Sequence, residues 1–189
     1  MSASPSRSRR KAPDSVRQSL LQATITVIGQ HGLAALTVQD VARAAGVSKG
    51  ALFHHFSSKQ VLVDEAIATL IADFEAQVRG LMEGSPRHGC FSRAYVRANF
   101  DHLLQQERDN DIGLTLGNML EPALLAQWGA WLRGMLAEFP DEASDPRLYA
   151  ARCVADGYWA TAYGRPLDEE ERLNALAMAE QALKLCDPQ

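Results

Sequence analysis

The side chains best equipped for chemistry crowd into one stretch, Thr37 to Leu62, which reads TVQDVARAAGVSKGALFHHFSSKQVL. It offers cations at Lys49 and Lys59, hydroxyls at Thr37, Ser48, Ser57 and Ser58, and adjacent histidines at His54 and His55. Neighbours on a helix point about 100° apart, so the two histidines cannot chelate one metal as an i,i+4 pair does. Hydroxyls, cations and free helix-terminal amides suit phosphate and base edges better than bond breaking. Elsewhere the chain has no glycine-rich nucleotide loop, no His-Glu-x-x-His and no Cys-x-x-Cys, and its many acids show no spacing that nominates an acid and a base. No enzyme, metal or cofactor is expected. Cys90, Cys153 and Cys186 are odd in number and far apart, which suits a reducing cytosol better than a disulfide framework.

The elements that must position those residues read as helices. From Asp14, Val16, Leu20, Ala23 and Val27 recur at helical spacing, with Leu21 and Ile28 widening the stripe and Gly32 closing it. Thr37 is placed to cap a short second helix, with Asp40 three residues on in a capping-box-like position, and Gly46 supplies the left-handed turn. Ser48 caps a third helix, apolar at Leu52 and Phe56; Ser57 or Ser58 caps a longer fourth through Leu62, Ala66, Leu70, Phe74 and Val78. Gly84, Pro86 and Gly89 mark a hinge. Further helices are expected over Phe91–His102, over a short segment ending at Glu121, from Pro122 to a stop at Pro140, from Asp145-Pro146 to about Tyr163, and after Asp168. The four acids from Asp168 to Glu171 suit the positive end of a helix dipole. No period-two segment competes, so the chain is expected to be all-α with about nine helices.

Charge divides the chain. Of its 189 residues, 47% are hydrophobic and the formal net charge is −4, yet residues 1–62 hold eight Lys/Arg against two Asp/Glu, a sum of +6. Residues 63–189 hold eleven against twenty-one, a sum of −10. Such asymmetry points to a polyanion met only by the front of the chain. No apolar run approaches the ~18 residues of a membrane span, and no apolar core follows the basic residues Arg7, Arg9, Arg10 and Lys11, so a cytoplasmic location is expected.

Small Ala42, the turn at Gly46, and Val47 and Leu52 filling the angle between two helices make a helix-turn-helix arrangement, whose second helix enters the major groove by its N-terminus. Gly50 weakens that helix by ~1 kcal/mol relative to Ala, and close approach to DNA is a reason for keeping it. The segment GVSKGALFHHFSSKQVLV resembles the TetR/AcrR-type DNA-binding domain, whose pattern is Gly-Val-Ser-x-Gly-x-Leu-Tyr-x-His-Phe-x-x-Lys-x-x-Leu. Gly46, Val47, Ser48, Gly50, Leu52, His55, Phe56, Lys59 and Leu62 fall on it, and the detailed likeness spans residues 14–70. Phe53 departs from the usual Tyr, keeping the ring and losing a hydroxyl that commonly touches phosphate in the family. The resemblance implies that Thr37, Ser48, His55 and Lys59 contact the DNA backbone, with Lys49, Gly50 and His54 nearest the bases.

Residues 1–13, with four Ser, two Pro and four basic residues and nothing to bury, read as a disordered basic arm, the alternative being an arm that orders on DNA. The resemblance implies a helix-turn-helix domain over 14–60 and a ligand-binding and dimerisation domain over 61–189. In the last helix, apolar residues cover roughly half the circumference, wider than the ~100° stripe of a helix that packs on one side. Ala151, Ala155, Ala175, Met178, Ala179, Ala182 and Leu185 are the expected homodimer contacts; the alternative is a helix buried in its own core. Aromatic stripes are more often core than pocket, but Trp128, Trp131, Trp159 and Tyr163, with Met119 and the polar Asn99, His102 and Asn118, are candidates to hold a small apolar or aromatic effector. The expected function is a repressor that binds a palindromic double-stranded operator as a homodimer; an activator, or a regulator without a small ligand, remains the alternative.

Overall fold

A computed structural model describes residues 13–84, 88–104, 122–162 and 167–187. Nine helices and no strand occur among them: α1 (Pro13–His31), α2 (Val38–Ala45), α3 (Lys49–His55), α4 (Lys59–Met82), α5 (Cys90–Leu104), α6 (Pro122–Glu138), α7 (Pro140–Ser144), α8 (Pro146–Ala162) and α9 (Glu169–Leu185). The arm over residues 1–12, the short helix ending at Glu121, and Asn118, Met119 and Tyr163 lie outside the described residues, as do the side chains of His102 and Trp159. Pro13, assigned to the arm by sequence, opens α1 instead, where its missing amide hydrogen costs nothing.

Two apolar clusters form. Leu20, Ile25, Leu36, Val41, Leu52, Phe56, Leu62 and Ile67 bring α1–α4 together in the first. The second gathers Val78, Phe91, Tyr95, Leu103, Leu148, Ala151 and Ala182 from α4, α5, α8 and α9. Helix α4 runs through both, contributing up to Ile71 to the first and from Val78 to the second. Helix α6 bridges them as well: Leu124, 3% exposed, belongs to the first cluster, and Met135 to the second.

Pro140 does end α6, as the sequence suggests, but it also opens the five-residue α7. That turn delivers Glu142 into the core, where its carboxylate accepts from the Phe91 and Ser92 amides at 3.1 and 2.9 Å and from the Ser92 hydroxyl at 2.8 Å. The first amides of α5, which have no partners within their own helix, are thus capped from fifty residues away. Arg152 of α8 donates to the same Ser92 hydroxyl, so a buried acid and a buried base share one bridge. Helix α9 opens on a full capping box: Asp168 accepts from the Glu171 amide at 2.8 Å, and Glu171 accepts from the Asp168 amide at 3.0 Å.

The expected dimer contacts need correction. Ala151, Ala175 and Ala182 are 0% exposed and Ala155 is 1% exposed, all within the chain's own core, so none of the four presents a surface to a partner. Their small side chains let α8, α9 and α5 approach one another inside the protomer. Ala179 and Leu185 are half-buried against the same core, and Met178 is exposed.

Removing the Glu142 carboxylate leaves the buried Phe91 and Ser92 donors without their acceptor, at about 1–3 kcal/mol for each unsatisfied group. Glu142→Ala is therefore expected to lower unfolding free energy by at least about that amount in urea titrations, because it uncaps α5. A loss below about 1 kcal/mol would contradict the role given to α7.

Candidate nucleic-acid interface

Local chemistry builds the α2–turn–α3 unit almost residue by residue. The Thr37 hydroxyl caps α2 by accepting from the Asp40 amide at 3.1 Å. Asp40 does not reach back to the Thr37 amide as a capping box requires; its carboxylate accepts a hydrogen bond from the Thr37 hydroxyl at 2.5 Å and pairs with Arg43 at 3.1 Å. Gly46 ends the helix at φ +68, with its amide bonded to the Arg43 carbonyl at 3.1 Å and the Val47 amide to the Ala42 carbonyl at 2.9 Å. That pair of bonds is the Schellman arrangement, and the positive φ demands glycine although open space surrounds it.

Ser48 caps α3 through the Ala51 amide at 3.1 Å, and Ser58 caps α4 through the Val61 amide at 3.1 Å. The letters Gly46-Val47-Ser48-Lys49-Gly50 also spell Gly-x-Ser-x-Gly, but here Ser48 follows a helix and serves as a cap, whereas a nucleophile elbow follows a strand. Leu52 and Phe56 are buried, pinning α3 to the first cluster. Arg17 of α1 lies 4.8 Å from the Phe56 ring centroid and pairs with Glu65 of α4, closing the back of the unit.

The opposite side of α3 is open. Lys49, Gly50, Phe53 and His54 are exposed, and His55 is half-buried. The Lys49 ammonium rests 5.9 Å from the Phe53 centroid, and the His54 and His55 rings meet edge-on at 5.5 Å. Neither α3 nor α4 has an acid in its first turn, and each starts with a lysine that has no carboxylate partner among the described residues. Both cations sit at the positive end of a helix dipole, where α9 carries three glutamates. Gly50 has an ordinary backbone, and a Cβ there would meet nothing closer than the Ser48 hydroxyl at 3.9 Å. Nothing among the described residues requires either feature, and exposed cations with free helix-terminal amides are chemistry that suits a polyanion. Sequence reasoning did not single out Arg43 and Asp40 as a pair on this face; their i,i+3 spacing was the available signal.

The expected effector residues are placed differently from one another. Trp128 and Trp131 pack together at 4.9 Å and against Phe74 at 5.2 and 5.5 Å, forming a cluster that joins α4, α5 and α6 through Tyr95. The Trp131 indole donates to Glu75 at 2.9 Å, and Glu75 and Glu138 both hold Arg79 at 2.7 Å. Asn99 is buried, and its amide donates to the Tyr95 carbonyl at 2.9 Å, so that donor serves the α5 backbone and not a guest. The buried Tyr95 phenol, pushed well up by desolvation, donates to Asp156, whose carboxyl burial also pushes up. A groove of about 490 Å3 opens elsewhere, between Val96, Phe100 and Leu104 of α5 and Leu176 and Leu183 of α9, with none of the expected effector residues in its walls. Burial raises the Cys90 thiol and holds Cys186 up at about 11, the opposite of a reactive thiolate.

A helix-turn-helix unit pinned by a buried core, with exposed Lys49 and Lys59 opening α3 and α4 and without a carboxylate partner among the described residues, is the form of a helix-turn-helix regulator. The family model of bacterial regulatory proteins of the tetR family matches residues 20–66, and that of the tetracyclin repressor-like C-terminal domain matches residues 89–183. The chain belongs to the TetR family. It is 38% identical over 82 residues to the HTH-type transcriptional repressor KstR2 of Rhodococcus jostii, covering 43% of this chain and 38% of KstR2. It is 29% identical over 142 residues to the HTH-type transcriptional regulator BetI of Pectobacterium carotovorum, covering 73% of this chain and 66% of BetI. The match therefore spans less than two thirds of either relative's length. Among solved structures, the multidrug binding protein EbrR complexed with malachite green shares the fold at TM-score 0.69 and 24% identity, covering 92% of this chain and 98% of EbrR. A TetR-family regulator from Streptomyces coelicolor does so at 0.67 and 21%, covering 90% and 95%. No helix among the described residues is long and apolar enough to cross a membrane.

The two glycines of the reader should separate fold from function. Gly46→Ala is expected to destabilise by about 1 kcal/mol, because a Cβ resists the left-handed turn. Gly50→Ala should leave stability unchanged or raise it by up to ~1 kcal/mol while weakening DNA binding. Melting curves beside fluorescence anisotropy on labelled DNA would decide; equal DNA affinity for Gly50→Ala and wild type would remove the argument from close approach.

Proposed function

We propose that this chain is a transcriptional repressor that grips a palindromic operator as a homodimer and lets go when a small, mostly apolar or aromatic effector binds its C-terminal helices. The observation that carries the DNA contact is the pair Lys49 and Lys59, each at a helix N-terminus without an acid beside it. Thr37, Ser48, His55 and Lys59 then hold the backbone, while Lys49, Gly50 and His54 approach the bases; Phe53 steadies Lys49. Two-fold pairing would set the recognition helices ~34–36 Å apart, one turn of the duplex. With the alanines committed to the core, the exposed Tyr149 and Cys153 of α8 and Met178 of α9 are the better surface for that pairing. A division of labour near residues 61–71 of α4, reader before and sensor after, fits the two apolar clusters.

Effector release is supported by the aromatic cluster. Phe74, Tyr95, Trp128 and Trp131 join α4 to α5 and α6, and α6 begins in the reader's own core at Leu124. A guest that displaces Trp131 from Glu75 would move the helix on which Lys59 stands. Only a ligand that prefers the moved state shifts the balance. Since EbrR was crystallised with malachite green, cationic aromatic dyes belong in the first screen. Tryptophan fluorescence and melting temperature should both change for at least one apolar or aromatic compound; silence across a broad library would favour a regulator without a small ligand.

Lysine variants test the reading face. Lys59→Ala should weaken binding nearly equally for all duplexes and reduce the log–log salt slope by about one per subunit. Lys49→Ala or His54→Ala should change which half-site is preferred, as measured by competition between variant duplexes. Unchanged preference in both would place them away from the bases.

A further inference from the structure

Between Asp14 and Asp64 the sequence holds a single acid, Asp40. It stands on the proposed DNA face, and both of its carboxylate oxygens are occupied. One oxygen accepts the hydrogen bond that the Thr37 hydroxyl donates at 2.5 Å; the other pairs with the Arg43 guanidinium at 3.1 Å. The Thr37 hydroxyl accepts from the Asp40 amide at the same time, so its cap on α2 does not need the carboxylate. Helix capping therefore explains the backbone bond but not the side-chain pair. Arg43 is 74% exposed and has no other carboxylate partner among the described residues, whereas Arg17, the other described arginine of the reader, is spent on Glu65 and Phe56 at the back. A hydroxyl donor and a guanidinium converging on one anion are what a phosphate oxygen would meet on the same face.

We infer that Asp40 is a specificity-determining residue, a carboxylate that occupies the Thr37–Arg43 donor pair in the free protein and competes with DNA phosphate for it. Arg43 becomes a further backbone contact, released only where the rest of the reader fits the duplex well enough to displace Asp40. On mismatched DNA the carboxylate stays, one cation per subunit remains neutralised, and binding is weak. The inference rests on the DNA-binding reading proposed above and assigns to it a device against indiscriminate binding.

Fluorescence anisotropy of the full chain on a duplex of scrambled sequence, across a salt series, tests it. Asp40→Asn is expected to tighten that binding by about fivefold at 0.15 M salt and to steepen the salt slope by about one per subunit, the effect of one freed cation. The gain should vanish when Asp40→Asn is made in an Arg43→Ala background and compared with Arg43→Ala alone, since Arg43 is what the carboxylate restrains. A gain that survives intact without Arg43 would mean simple repulsion and would overturn the inference. So would unchanged affinity and slope with only a lowered melting temperature, the mark of a helix-stabilising role alone. Asp40→Ser, another short polar residue at the third position of the helix, repeats the measurement should the Asn variant fold poorly. If wild-type protein binds no duplex at any salt, the DNA-binding reading itself fails, and that outcome is distinct from the other two.

Discussion

Helix α3 has seven residues and a glycine in its first turn, far short of what a helix needs to persist alone in water. It exists because Leu52 and Phe56, 0% and 1% exposed, are driven into the core that α1, α2 and α4 share. Those two anchors fix the rotation of the helix and therefore the direction of everything on its far side. Lys49, Gly50, Phe53 and His54 face outward because Leu52 and Phe56 face inward, and the Arg17–Glu65 pair over Phe56 keeps the anchor from rolling. The function proposed for the chain hangs on this burial more than on any polar contact.

Electrostatics then gives that orientation a purpose. Within one protein, α9 begins with three glutamates and a capping box, the arrangement that a helix dipole favours, while α3 and α4 begin with lysines. Arg147 in the first turn of α8 differs from both lysines in being paired, with Asp145. The sequence divides in the same sense, +6 over residues 1–62 and −10 over the remainder, so its front suits a polyanion and its remainder does not. Helices α4 and α6 each cross from one apolar cluster to the other, so the two ends share mechanical parts and are not beads on a linker.

What could be read in the sequence was what depends on neighbours along the chain. Thr37, Ser48 and Ser58 as caps, Gly46 as the left-handed turn and the acids after Asp168 are all local rules, and each is met in the structure. Contacts across the chain were not legible. Glu142 caps α5 from a helix that the proline rule treats only as a stop, because Pro140 satisfies both roles. Ala151, Ala155, Ala175 and Ala182 serve the protomer's own core for a similar reason: small side chains permit close approach of any two helices, and nothing in the spacing says whether the partner is in the same protomer. Trp128 and Trp131 share an aromatic face with Phe74 and Tyr95 that sequence spacing cannot reveal, since the rings come from three helices.

The most direct test of the account is selection of bound sequences from a pool of random duplexes by the purified full chain at physiological salt. An inverted repeat whose half-sites lie about one helical turn apart, ~34–36 Å centre to centre, should be enriched. Recovery of a pool indistinguishable from the input would contradict that expectation, because a face built from Lys49, Gly50 and Lys59 would then be gripping DNA without reading it, or not gripping it at all.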